Sequence, residues 1–128
     1  MKKYKVYTKE KGLVETNEYR DIDHLIWHRE DGPAFIKYYN NGNLAYEEYR
    51  INNKRHRLDG PACINYYNGL VEYEEYRFND KIHRLDGPAC IEYDNNSNIT
   101  FASYWINGMS YTKENYYNEL LKLKVQSL

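Results

Sequence analysis

The residues best suited to chemistry come in three near-copies of one heptapeptide. His28-Arg29-Glu30-Asp31-Gly32-Pro33-Ala34 recurs as His56-Arg57-Leu58-Asp59-Gly60-Pro61-Ala62 and as His83-Arg84-Leu85-Asp86-Gly87-Pro88-Ala89. His, Arg and Asp this close together could hold a metal or move a proton. Spacing argues against a shared site. The copies start 28 and 27 residues apart, and in a run of hairpins equivalent positions lie two strands, roughly 9–10 Å, apart. One zinc ion needs its nitrogen ligands at about 2.1 Å, so His28, His56 and His83 do not share one, and a single His–Asp pair supplies too few ligands. His-Arg-Leu-Asp also echoes the kinase catalytic loop, but the order there is His-Arg-Asp, and no Gly-rich loop or metal-binding Asn accompanies it. Cys63 and Cys90 occupy matching repeat positions, too far apart for a disulfide. No Cys-x-x-Cys, phosphate loop, nucleophile elbow or His-Glu-x-x-His occurs. The sequence therefore predicts no enzyme, no catalytic or metal-ligating residue and no cofactor. A catalytic site is needed once and a turn in every unit, so the repeated residues are read as a structural turn: His28, Arg29, Asp31, Gly32; His56, Arg57, Asp59, Gly60; His83, Arg84, Asp86, Gly87.

The elements around the motif are extended. Ala34-Phe35-Ile36-Lys37-Tyr38-Tyr39, Ala62-Cys63-Ile64-Asn65-Tyr66-Tyr67 and Ala89-Cys90-Ile91-Glu92-Tyr93-Asp94 place Ala, Ile and the aromatic on alternate positions, hence on one face of a strand. A second piece follows in each unit: Tyr46–Ile51, Tyr73–Phe78 and Phe101–Ile106. Asn-Gly turns such as Asn41-Gly42 and Asn68-Gly69 join the pieces, and Asn52-Asn53, Asn79-Asp80 or Asn107-Gly108 leads to the next unit. In the Asp-Gly-Pro step, Gly is expected to supply a positive φ, Asp to bond nearby backbone, and Pro to stand where no ladder N–H is needed. The prediction is a mainly β fold, an antiparallel meander of β-hairpins in one sheet.

The flanks are degenerate copies. Gly12–Arg20 parallels Gly69–Arg77, with a small insertion at Asp21–Leu25. The single repeat domain therefore divides into an N-terminal half-repeat (1–27), repeats 28–55, 56–82 and 83–111, and a cap (112–128). Thr112 is a suitable N-cap with Glu114 in the first turn, so Lys113–Lys124 is predicted to be a helix covering the last strand. Tyr116, Tyr117, Leu120 and Leu121 share a helical face there.

The heptapeptide with its Asn-Gly hairpin resembles the Asp-Gly-Pro-Ala repeats of proteins from phages and large DNA viruses, and more loosely MORN-type hairpin repeats, whose Gly pattern is not reproduced. The resemblance covers roughly residues 12 to 117. It implies the fold and a viral or mobile-element source, and it transfers no catalytic residue.

Binding is the function class that remains. The 128-residue chain has net charge -1, so no overall basic field draws it to nucleic acid or anionic lipid. No run is apolar enough to span a membrane, and the polar N-terminus lacks a signal-peptide core, so the expected location is the cytoplasm (of the host, if viral), with reduced thiols. The chain carries 16 Tyr against 3 Phe and 2 Trp, and Tyr suits both half-exposed sheets and binding surfaces. One row holds Tyr49, Tyr76 and Tyr104, with Arg50, Arg77 and Trp105 alternating on the opposite face. The neighbouring Glu47 and Glu74 would repel phosphate. These eight residues are the candidate binding surface. The expected activity is a protein-binding module, possible roles including inhibition of a host defence protein in the manner of an anti-CRISPR. The alternative is nucleic-acid or nucleotide binding through Tyr stacking and Lys54-Arg55-His56-Arg57. A homodimer through the exposed first strand is a further expectation.

Overall fold

The computed structural model describes residues 2–6, 13–20 and 26–128; the insertion read at Asp21–Leu25 lies outside them. The main sheet contains β1 (Lys2–Val6), β2 (Leu13–Arg20), β3 (Phe35–Tyr39), β4 (Leu44–Glu48), β7 (Cys63–Tyr67), β8 (Leu70–Glu75), β11 (Cys90–Tyr93), β12 (Ile99–Ile106) and β13 (Met109–Tyr111) in that spatial order. Every pairing is antiparallel, so the predicted meander is the observed one. Two ribbons stand apart from it: β5 (Arg50–Ile51) with β6 (Lys54–Arg55), and β9 (Arg77–Phe78) with β10 (Lys81–Ile82).

The ribbons are the departure from one sheet of hairpins. The segments Tyr46–Ile51 and Tyr73–Phe78 each break after a Glu, and the chain turns off the sheet at Tyr49 and Tyr76. The same segment in the last unit continues as β12 but changes partner between Ser103 and Tyr104. Ribbon turns require left-handed backbone at two successive residues. Asn52 and Asn53 lie at φ 49° and 67°, Asn79 and Asp80 at 47° and 71°, Asn107 and Gly108 at 48° and 79°. Asn, Asp and Gly tolerate that conformation best. Each of these turns is tied to the segment one unit earlier: Asn53 N–H donates to Trp27 O, Asp80 N–H to Arg55 O and Gly108 N–H to Ile82 O, all at 2.8–2.9 Å.

The core is thin and set by the repeat. Ala34, Ala62 and Ala89 are fully buried behind the motif, with Ile36, Ile64, Ile91, Cys63 and Cys90 beside them. Phe35 and Cys63 both pair with Glu48, and Cys63 and Cys90 both pair with Glu75. Equivalent positions are thus two strands apart, and both thiols are free. Helix α1 (Lys113–Gln126) follows Thr112, whose side chain accepts from Asn115 N–H. Its buried contact is narrower than the predicted face. Tyr116 is fully buried, whereas Tyr117 and Leu121 are 46% and 61% exposed. The helix packs on β12 and β13, and Tyr116 reaches Arg84 and Gly87 of the third motif loop, which leaves little surface for a wider stripe.

Candidate functional site

The motif builds the same loop three times around its arginine. Arg29 Nε donates to Asp31 at 2.9 Å and Nη1 to Pro33 O at 3.2 Å. Arg57 reaches Asp59 and Pro61 O at 3.0 and 3.1 Å, and Arg84 reaches Asp86 and Pro88 O at 2.8 and 2.9 Å. The same guanidinium lies over the Tyr ring of the preceding unit: Arg29 over Tyr19, Arg57 over Tyr49 and Arg84 over Tyr76, with Cζ 3.8–4.0 Å from the centroid. Such a stack adds a cation–π attraction to apolar contact.

In two of the three copies the glycine has a different task from the one expected. Neither Gly32 nor Gly60 has a positive φ, whereas Gly87 has the expected one, at 157°. What the position needs is an absent Cβ. One built on Gly32 or Gly60 would lie 2.8 Å from the Cζ of Arg29 or Arg57, and on Gly87 3.1 Å from that of Arg84. Glycine lets the guanidinium lie against the backbone while it bridges Asp and the Pro carbonyl.

The histidines latch each loop to the next ribbon. His28 Nδ1 accepts from Asn52 N–H, His56 Nδ1 from Asn79 N–H and His83 Nδ1 from Asn107 N–H, at 2.9, 3.0 and 2.9 Å. Each ring must keep Nδ1 unprotonated to do so. Among the described residues no three His, Cys, Asp or Glu side chains gather as a metal site. Burial pushes the Cys63 thiol up to about 11 and raises that of Cys90. Both stay as thiols at neutral pH, the unreactive form.

The candidate binding residues are each engaged with a neighbour outside the set. Tyr49 and Tyr76 lie under their arginines, and burial raises both phenols. Tyr104 packs on Tyr116, ring centroids 4.9 Å apart. Arg50 reaches Glu48 at 3.2 Å, Arg55 reaches the same carboxylate at 2.5 Å, and Arg77 bonds Glu75. Trp105 Nε1 donates to Ser103 Oγ at 2.8 Å. Glu47 accepts from the Tyr66 hydroxyl. Burial, aided by the contact with Glu74, pushes Tyr93 up to about 12.

Open surface lies instead between successive loops. A groove of about 660 Å³ separates the first and second, with Tyr49, Ile51, Leu58 and Arg57 on its walls. A second, of about 420 Å³, separates the second and third, with Tyr76, Arg77, Phe78 and Leu85 on its walls. Leu58 is 81% exposed and Leu85 49%. The sequence reading passed over Ile51, Leu58, Phe78 and Leu85. The available signal was the variable position of the motif, where Leu stands twice on an otherwise polar turn. Comparison with family models, with curated proteins and with solved structures found no match.

Proposed function

We propose that this protein is a non-enzymatic protein-binding repeat module whose contact surface is the row of motif loops and the grooves between them. The observation that carries the reading is repetition. Two adjacent grooves have the same construction, a Tyr–Arg stack at the side and an exposed leucine at the rim. An exposed leucine above a cleft gains free energy when a partner covers it, by about 25 cal/mol per Å² of apolar area removed from water. The resemblance of the heptapeptide to phage and viral repeats makes a host defence protein, met in the host cytoplasm, the natural partner, with inhibition of it as the outcome. The test is capture from a host extract on immobilised wild-type protein and on the double variant Leu58→Asp/Leu85→Asp. A protein retained by the first and lost from the second is expected. Identical retention by both would remove these grooves from the binding surface.

One feature favours a second reading. The smaller groove gathers Arg57, Arg77 and Arg84 beside Tyr76 and Phe78, the cation-and-ring combination that holds single-stranded nucleic acid. Oligonucleotide binding that weakens steeply as salt rises would support it, and no binding at low salt would end it.

A further inference from the structure

We propose that the segment held across the loops is a left-handed polyproline II stretch carrying a basic residue at every third position. This rests on the loops being a protein-contact surface. The first argument is period. Successive loops enter strands two apart in the sheet, a step of about 9.6 Å at the usual strand spacing. A polyproline II helix rises about 3.1 Å per residue with three residues per turn, so it presents the same face every ~9.3 Å. Over the two steps between three loops the mismatch stays under about 1 Å, within the reach of a flexible Lys or Arg. A β-strand returns to the same face every ~6.7 Å. An α-helix meets the period only on every second turn, at about 10.8 Å, and leaves the intervening turn with no groove to receive it.

The second argument is charge. Asp31, Asp59 and Asp86 are 79%, 86% and 85% exposed, while the arginines that brace them are only 20–23% exposed. Each cation is covered and each carboxylate faces water, with Glu30, 81% exposed, beside the first. The outward row is anionic. The third argument is shape. Between the carboxylates the grooves are lined by Ile51 beside the Arg57-covered Tyr49, then by Phe78 beside the Arg84-covered Tyr76, with Leu58 and Leu85. Aromatic-lined clefts take proline rings, and a preformed polyproline II helix loses little entropy on docking.

The test measures fluorescence anisotropy of labelled peptides against the full chain. The probes are a peptide of Pro-Pro-Arg triplets, one of Pro-Pro-Glu triplets, and proline–arginine peptides with the same number of arginines placed at every second or every fourth position. Saturable binding of the first, about tenfold or more tighter than of the others, is expected from three exposed charge pairs in phase. The triple variant Asp31→Asn/Asp59→Asn/Asp86→Asn should weaken that binding by a similar factor. Its amide oxygens can still accept from Arg29, Arg57 and Arg84, and an unchanged melting curve would verify the fold. Equal binding of the misphased peptides, preference for the acidic one, or indifference to the Asn variant would overturn the proposal. No binding of the basic peptide, with host-protein capture still dependent on Leu58 and Leu85, would overturn this partner chemistry and leave the protein-binding reading standing. Capture that ignores both leucines would bring down both.

Discussion

The interior units and the last unit solve the same two packing problems with different chemistry. On one side of the sheet, Arg57 covers Tyr49 and Arg84 covers Tyr76, whereas Tyr104 is covered by Tyr116 from the helix. On the other side, Glu48 with Arg50 and Glu75 with Arg77 give way to Ser103 with Trp105. Both changes replace ions with neutral rings where the array stops. The physical reason is supply. A buried carboxylate such as Glu48, 4% exposed, is tolerable because Arg55 in the next ribbon strand adds a second cation to Arg50. After Tyr104, Met109-Ser110-Tyr111-Thr112-Lys113 stands where the next motif would begin and brings no arginine over that ring. An aromatic pair needs only its own burial and a partner for the hydroxyl. Tyr116 has both: it is fully buried, donates to Arg84 O at 2.6 Å and accepts from Gly87 N–H at 3.2 Å.

The comparison predicts where the molecule is most easily broken. Tyr116→Ala removes the largest fully buried side chain and should destabilise by about 3–5 kcal/mol. Tyr116→Phe, which keeps the ring, should cost only about 1 kcal/mol. Urea unfolding would measure both, and a Phe variant as unstable as the Ala variant would mean that the hydroxyl, not the ring, holds the cap. Next comes Glu48→Ala, which strands Arg50 and Arg55 and should cost about 3 kcal/mol, against less than about 1 kcal/mol for Ser103→Ala at the equivalent terminal position. Equal costs would erase the distinction between charged interior and neutral end.

A smaller effect tests the glycine. Gly60→Ala places a Cβ 2.8 Å from the Arg57 Cζ and must push the guanidinium off Tyr49. The obstacle is the end of a flexible side chain, so the cost should be about 1–2 kcal/mol. In an Arg57→Ala background the same substitution should be nearly neutral, because the atom it strikes is gone. Additive costs in that double-mutant cycle would show that the glycine serves the backbone after all.

That ambiguity shows where sequence legibility ended. The heptapeptide, the hairpin turns and the Thr112 cap were readable because each is a local signal: a spacing, an Asn-Gly pair, a hydroxyl before a helix. The detour at Tyr49 and Tyr76 was not readable. Alternation along Tyr46–Ile51 is the same whether the strand stays in one sheet or leaves it, and only the neighbouring strands decide. A glycine likewise reports that a Cβ is unwelcome without saying whether backbone angle or a neighbour objects. The tyrosines of the candidate surface showed their positions in the repeat but not that Arg57 and Arg84, eight residues further along the chain, would cover two of them. The grooves were hidden for the same reason, since they exist only between loops brought together by the fold.

The smallest effect concerns the latch at the last junction. His83 Nδ1 accepts the Asn107 N–H, and burial holds the imidazole pKa below its usual 6.5. At pH 7 the ring is mainly neutral in both the folded and unfolded chain, so it costs the fold little. As pH falls through about 6.5 the unfolded chain takes up the proton first, so stability declines, and the decline stops only once folded His83 is protonated too. The melting temperature should therefore fall between pH 7 and pH 5, by less than in any variant above. His83→Gln should flatten that limb. The Asp31 carboxyl, held low by its bond and charge contact with Arg29, acts in the same direction, but only as pH drops to about 4 and below. The two windows are thus separable in one titration. An acid limb between pH 7 and pH 5 that is unchanged in His83→Gln would assign it to other groups and leave the His83 latch indifferent to protonation.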